Sequence, residues 1–522
     1  MKINELKKII RSIAIALFCI ISFNSYGDIT IQKYSQDPWN GYTYASPLGW
    51  LNYWRATNNL IKPSLQDVLS YRFQDAVNDT VDNYQTLGKF NAVPNMPEDN
   101  TNTPKNTGLV DEVNSPNHQN HSVHKNKTAP KNLLEKFFTD GTYTFAALFN
   151  YLYFQPNNYY SYGASVFLQS GEIAGFSVGG NYLFINPWFS DEINPNPNNS
   201  LPTQKVTIIS QLFLEYNIDD ILQADIGWLY INTPWLTSYT PTSTTQPTYR
   251  GVLANYKISK HWLLTGLAIN GFKGLSQTSF NRETMYSSGI NPNTLTPQIG
   301  SGTSEFTTAL GIQYSLGQTL NAGLWGYLFY NYASMLYAYG GNSFILNKQS
   351  AITLNLQAAS QGTVGSGSNV FSDNGLQSPE GQLFGAELTY SYDNASLTLA
   401  YNGLIGSSGF SNGNLVSPYT YQLANDPLYT TSYMGGVIEN SASNAIKIFP
   451  AISFFDHSLV IAPSYAYYDS DIFNNSAEWD FIVTYQVPEV RGLQLIGVYA
   501  VVQTFPATNL SNLVQFSAAY LF

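Results

Sequence analysis

Residues 513–522 read LVQFSAAYLF, and the sequence stops there on an aromatic. Val514, Phe516, Ala518, Tyr520 and Phe522 alternate with residues that include Gln515 and Ser517. Side chains of an extended chain point alternately to its two faces, so this stretch reads as a strand with one apolar and one wetted face. Most soluble domains finish instead in a few polar residues with no such pattern.

The same period recurs from about residue 141 onward. VTIISQLFLEY places Val206, Ile208, Leu212, Leu214 and Tyr216 on one face, against Thr207, Gln211 and Glu215 on the other. EFTTALGIQYSL sorts Phe306, Leu310, Ile312, Tyr314 and Leu316 against Glu305, Thr307, Gln313 and Ser315. EWDFIVTYQ sorts Trp479, Phe481, Val483 and Tyr485 against Glu478, Asp480, Thr484 and Gln486. A sandwich strand can show this once. Repetition to the C-terminus favours a closed barrel that meets lipid outside and water inside.

The connections obey a second rule. Short ones at 217–220, 259–261, 317–318, 393–394 and 456–457 alternate with long Gly-, Pro- and Asn-rich ones at 186–205, 232–248, 272–304, 360–380 and 405–444. Outer-membrane barrels have short turns on the periplasmic side and longer loops outside, with both termini periplasmic. Strands at about 142–154, 161–170, 176–185, 206–216, 221–231, 249–258, 262–271, 305–316 and 319–330 begin the series. It continues at 334–344, 351–359, 382–392, 395–404, 445–455, 459–468, 478–486, 493–503 and 513–522. The expected fold is therefore an all-β transmembrane outer-membrane β-barrel of about eighteen antiparallel strands. Sixteen is the alternative, should 334–344 or the first three segments fail.

Composition agrees. Charged residues make up 11% of the chain, while Tyr and Phe number 39 and 30; ordinary globular proteins carry about 25% charged residues. Residues 1–27 combine Lys2, Lys7, Lys8 and Arg11 with the apolar run IAIALFCIISF and small residues at 25 and 27, which reads as a cleaved signal peptide. The run is short for a membrane anchor. The single cysteine, Cys19, falls inside it, so no disulfide or Cys-based metal site is expected beyond it. Without that segment, 19 Lys and Arg face 33 Asp and Glu, a balance that argues against nucleic acid as a partner.

Residues 28–90 read differently. Leu65, Val68, Leu69, Phe73, Val77 and Val81 recur at helical spacing between an N-cap at Ser64 and a stop at Gly88. Residues 91–133 are rich in Asn, Pro and Thr and read as a disordered linker, with the barrel occupying 134–522. The partly helical extension could plug the lumen or sit in the periplasm.

The terminal stretch resembles the C-terminal signal read by the barrel-assembly machinery, with Phe516, Tyr520 and Phe522 as its aromatic positions. Three further stretches resemble the porin D (OprD) family over about 137–522. FLQSGEIAGFSVGGNYLF carries Ser170, Gly171, Gly175 and Gly179, a Ser-Gly followed by spaced glycines. INTPW…QPTYRGV resembles the approach to that family's P-Q-T-F-x-G element; Thr248, Tyr249 and Gly251 fit, while Gln246 and Pro247 stand in inverted order. LFGAELTYSYDNASLTLAYNGLIG matches a family hairpin in shape. The resemblance implies an eighteen-stranded porin that passes small solutes, often carboxylate-bearing, beyond inward-folded loops.

One departure bears on selectivity. Family members line the channel with a ladder of arginines, whereas residues 141–522 hold only Arg250, Arg282 and Arg491 with six lysines, against 21 acidic residues. The expectation is a water-filled channel for passive diffusion of small polar solutes, weakly selective or cation-leaning. Strand parity nominates Glu215, Asp225, Asn255, Lys257, Glu387, Lys447, Glu478 and Asp480 for the lumen. Arg250 joins them if the 232–248 loop folds inward; otherwise it is a rim charge.

Chemistry finds little support. His118, His121 and His124 have the form H-x-x-H-x-x-H, but the Asn/Pro-rich segment holding them offers no rigid metal shell. His261 and His457 fall in short turns, away from any outer-leaflet nucleophile, which argues against a hydrolase. No cofactor, catalytic or metal residue is expected, and the partners are outer-membrane lipid, small polar solutes and the assembly machinery. Monomer and trimer are not separated. Two rivals remain: a plugged barrel for hydrophobic molecules, and a surface adhesin.

Overall fold

The computed structural model describes residues 132–154, 157–190, 204–218, 221–238, 245–274, 278–280, 306–316, 320–330, 333–347, 349–365, 380–406, 427–437, 442–455, 458–470, 474–488, 490, 493–506 and 510–521. The signal peptide, the 28–90 helix and all but the end of the 91–133 linker lie outside them, as does Phe522.

Eighteen antiparallel strands form one sheet. The first five are β1 (Thr142–Phe154), β2 (Asn157–Gln169), β3 (Phe176–Ser190), β4 (Val206–Ile218) and β5 (Leu222–Leu229). A separate small ribbon, β6 (Asn232–Thr233) and β7 (Leu236–Thr237), follows. The sheet resumes with β8 (Thr248–Ser259), β9 (Trp262–Lys273), β10 (Thr307–Leu316), β11 (Leu320–Phe329), β12 (Ala333–Asn347) and β13 (Ser350–Thr363). It ends with β14 (Gly381–Tyr392), β15 (Ala395–Gly406), β16 (Asn444–Phe454), β17 (Leu459–Asp469), β18 (Ser476–Gln486), β19 (Leu493–Thr504) and β20 (Leu510–Leu521). All eighteen expected strands are present, including 333–347, so the sixteen-strand alternative falls.

Each wall strand pairs with its neighbours in sequence, and β1 pairs with β20 from Ala146 opposite Leu521 to Phe154 opposite Leu513. That last pairing removes the open edge, which lipid could not hydrate. The terminal stretch is therefore one wall of the closing seam. Its Phe516 points outward and is exposed, while Ser517 on the other face donates to Asn150 Oδ1 at 2.5 Å.

Outside, the barrel is apolar. Leu212, Leu214, Ile226, Leu310, Leu388 and Leu399 are exposed, a pattern that fits a lipid-facing belt. Aromatic pairs flank the belt: Phe176 with Tyr216 and Trp262 with Tyr314 toward the short-turn end, their ring centroids 4.5 and 4.8 Å apart. Tyr162 with Trp188 lies at the other end, at 6.2 Å.

The face assignments of β10 and β18 hold, but half of β4 is reversed. Val206 and Ile208 are buried and Thr207 is exposed, whereas Leu212 and Leu214 point out as expected. Opposite Asn181 and Tyr182 stand Gln211 and Ile209, so Ser210 is an extra residue in β4. A β-bulge of one residue exchanges the two faces beyond it.

The interior is also less uniformly polar than alternation implied. Trp325, Tyr327 and Phe329 of β11 and Tyr337 and Tyr339 of β12 all point inward and are buried. Glycines opposite them make the room: Gly311 faces Trp325 and Gly323 faces Tyr339 in register, and a Cβ on either would run into the partner's ring. A short helix, α1 (Leu133–Thr139), precedes β1, capped by Asn132 Oδ1 accepting the Glu135 N–H at 2.7 Å. It rests on the β2–β3 turn, where the Gly171 N–H donates to the Phe137 carbonyl at 2.9 Å.

Candidate functional site in the barrel interior

Residues 427–437, part of the long connection between β15 and β16, run inside the barrel as a strap. Leu428 and Thr430 to Tyr433 are buried. Its backbone is held by side chains from several wall strands. Glu478 Oε1 accepts the Met434 N–H at 2.6 Å, and Asp480 Oδ2 accepts the Tyr433 N–H at 3.2 Å. Lys447 Nζ donates to the Thr431 carbonyl at 2.5 Å. Asn402 Oδ1 accepts the Thr430 N–H at 3.0 Å, and the Tyr468 hydroxyl donates to the Thr430 carbonyl at 2.9 Å. Oriented to satisfy its neighbours, the Gln357 amide donates to the Pro427 carbonyl at 2.8 Å and accepts the Tyr429 N–H at 3.1 Å. At the seam, the Tyr433 hydroxyl donates to Gln515 Oε1 on β20 at 2.9 Å. A backbone carried away from water needs such partners for its N–H and C=O groups, and the wall supplies them.

The other inward segment is the β6–β7 ribbon. Trp235 and Leu236 are fully buried. The Trp235 N–H donates to the Tyr327 hydroxyl at 3.4 Å, and its ring meets Tyr337 edge-on at 5.9 Å. Tyr249 donates from its hydroxyl to the Thr237 carbonyl at 3.0 Å. The aromatic wall of β11 and β12 is therefore the seat of this ribbon, whereas the strap sits on polar strands.

Toward the short-turn end a polar ladder crosses four strands. Gln169 Nε2 donates to Ser177 Oγ at 2.9 Å, and Ser177 donates to Glu215 Oε1 at 3.3 Å. Gln223 Nε2 lies 3.2 Å from both Glu215 Oε2 and Asp225 Oδ2. One amide thus bridges two carboxylates that stand opposite each other in register.

Glu215, Asp225, Glu387, Lys447, Glu478 and Asp480 are all buried on the inward face. Lys447, Glu478 and Asp480 come together on the strap; Glu387 lies on the other side of Lys447 in the same register row, accepting from Asn355 Nδ2 at 2.8 Å. Asn255 accepts from the Thr265 hydroxyl at 2.9 Å, and Lys257 follows on the same face, half-buried. Arg250 does not join them. Its neighbour Tyr249 points in to reach Thr237, so alternation turns Arg250 outward, where it is exposed and opposite Trp228. The side chains of Gln357, Asn402, Tyr433 and Tyr468 were not foreseen, because nothing local distinguishes a strand residue that binds a strap from one that meets water. Among the described residues no group of three or more His, Cys, Asp or Glu could hold a metal. His118, His121, His124 and His457 lie outside those residues. His261 sits in a turn with Nδ1 at 2.8 Å from the Ser315 carbonyl.

A closed eighteen-stranded barrel with segments folded into its lumen matches solved channel structures along its length. Pseudomonas aeruginosa OccK8 (OprE) superimposes with a TM-score of 0.62 at 14% identity, over 74% of this chain and 99% of that one. Acinetobacter baumannii OccAB2 gives 0.61 at 14% identity, over 74% and 99%. Pseudomonas aeruginosa OpdK, solved with vanillate, gives 0.60 at 13% identity, over 74% and 99%. The fold is that of the Occ outer-membrane channels. No family model matches the sequence, and no curated protein matches it. The Occ fold is an outer-membrane β-barrel, in keeping with the strand number read above. The sequence likeness noted to the OprD family accordingly has its counterpart in three dimensions.

Proposed function

We propose that the protein is a non-enzymatic outer-membrane channel for passive diffusion of small polar solutes, weakly selective or cation-leaning. The observation that carries this reading is the strap: a segment of the chain lies inside the barrel, bound along its length to inward polar side chains. Such a segment narrows a lumen without needing a separate plug domain. Five inward carboxylates, Glu215, Asp225, Glu387, Glu478 and Asp480, outnumber the inward lysines Lys257 and Lys447 among the described residues. Those that ionise in a narrow low-dielectric passage set the potential met by an ion, even when each group also has a hydrogen-bond partner.

Liposome swelling with neutral, cationic and anionic solutes of matched size tests the proposal. Faster entry of neutral and cationic solutes is the expected order. Preferential entry of anions would overturn it.

A second reading draws on the aromatic wall of β11 and β12. An interior this apolar, with Trp325, Tyr327 and Tyr337 packed under the β6–β7 ribbon, suits solutes with an apolar face, and the 28–133 extension would then act as a plug. Deleting residues 28–133 separates the two readings: a marked rise in conductance supports the plug, and unchanged conductance supports the open channel.

A further inference from the structure

The outward face of β5, β8 and β9 carries a cluster unlike the rest of the belt, at the end bearing the long connections. Arg250, exposed, and Lys273, buried, both lie near the Phe280 ring, with Arg250 Cζ at 5.8 Å and Lys273 Nζ at 5.0 Å from its centroid. Trp228 completes the group, 5.2 Å from Phe280 ring to ring and 5.8 Å from Lys273 Nζ. Two cations near one ring repel each other, and among the described residues neither has a carboxylate partner. The hydrogen bonds of Arg250 run from Nε to Asn270 Oδ1 at 2.9 Å and from Nη2 to the Asn270 carbonyl at 3.3 Å. Lys273 Nζ donates to the Ile209 carbonyl at 2.9 Å.

The Arg250 guanidinium is positioned before any ligand arrives. It lies over Gly271, where a Cβ would come within 3.2 Å of Nε and Nη2. Asn270, an extra residue opposite the Arg250–Gly251 step, holds one edge of the fork. Among the described residues the Nη1 edge has no partner. Charged residues on the outward face of a barrel are costly at the bilayer midplane and nearly neutral at the interfaces, so this placement belongs at headgroup level. The exposed planar fork of Arg250 suits a phosphate oxyanion, with the Lys273 ammonium buried behind it adding positive potential, and the two rings suit the acyl and sugar atoms next to it.

We propose that Arg250, Trp228 and Phe280, backed by the buried Lys273 ammonium, form a docking site for a phosphorylated glycolipid headgroup of the outer leaflet, with Arg250 making the direct contact. The site lies outside the lumen and depends on the barrel's place in the membrane, not on what passes through it.

The test uses the full-length protein in detergent with diphosphorylated lipid A as probe, retention being read by native mass spectrometry. Arg250→Gln should reduce retained lipid about tenfold, Arg250→Lys should restore part of it, and enzymatically dephosphorylated lipid should be retained no better than by Arg250→Gln. Lys273→Gln is read alongside, with heat-modified gel mobility reporting the folded fraction. Equal retention by wild type and Arg250→Gln, or equal retention of phosphorylated and dephosphorylated lipid, would overturn the proposal. So would displacement of the lipid by equimolar inorganic pyrophosphate, which would indicate a site for free phosphate. Single-channel conductance of Arg250→Gln should equal that of the wild type, which keeps this test separate from that of the channel.

Discussion

Glu478 and Asp480 lie two residues apart on the inward face of β18 and accept the backbone N–H groups of Met434 and Tyr433, at 2.6 and 3.2 Å. Same-face residues of a strand repeat about every 6.8 Å and consecutive Cα atoms lie about 3.8 Å apart, so the two side chains converge on successive amides. An intramolecular hydrogen bond contributes about 0.5–1.5 kcal/mol. Replacing both acids by alanine should release this part of the strap. A loss of about 2 kcal/mol raises a minor open population about thirtyfold. Single-channel recording should show longer and more frequent high-conductance events in Glu478→Ala/Asp480→Ala than in the wild type; identical traces would show that the strap does not limit the passage.

Gly311 and Trp325 supply a prediction about stability. Alanine at 311 would place a methyl group inside the Trp325 ring, which must leave its stack with Tyr327. Overpacking of this kind costs about 1–3 kcal/mol. Gly311→Ala should lower the unfolding midpoint in urea and shift tryptophan emission to the red. Gly326, where a Cβ meets nothing within 4 Å, is the control, and Gly326→Ala should leave both unchanged.

The seam between β1 and β20 can be locked covalently. Asn150 and Ser517 are opposed in register, and the only cysteine in the sequence is Cys19. Asn150→Cys with Ser517→Cys should oxidise to a disulfide and keep the fast gel mobility of folded barrel after heating without reductant. Shifting one cysteine to Phe516 puts it on the outer face, and that pair should not cross-link.

The exterior belt predicts a depth effect. Leu388, exposed in the middle of β14, should tolerate alanine but lose about 2–4 kcal/mol on replacement by lysine if it meets the bilayer midplane. Folding into vesicles of defined thickness measures this directly.

Much of the wall was legible because lipid imposes a local rule. An exposed Leu310 or Phe481 has no alternative to facing outward, and the short turns read at 217–220, 259–261, 317–318, 393–394 and 456–457 all fall at one end. The reversal in β4 was not legible, since the single extra residue at Ser210 leaves no trace in composition and changes only what comes before it. Arg250 was ambiguous for the same reason: its facing follows from Tyr249, whose inward direction depends on a contact with Thr237 twelve residues earlier in the chain. The inward aromatics of β11 were hidden because GLWGYLF is apolar on both faces, so alternation carries no signal there. The strap escaped notice altogether. Its buried residues read as one more polar loop, and its anchors, from Gln357 to Gln515, are scattered over six strands.

The most direct test of a water-filled, weakly cation-leaning passage is the reversal potential in a planar bilayer under a tenfold potassium chloride gradient. Stepwise conductance with a reversal potential at or on the cation side of zero is the predicted result. Absence of conductance in correctly folded protein, or a reversal potential strongly on the anion side, would contradict it.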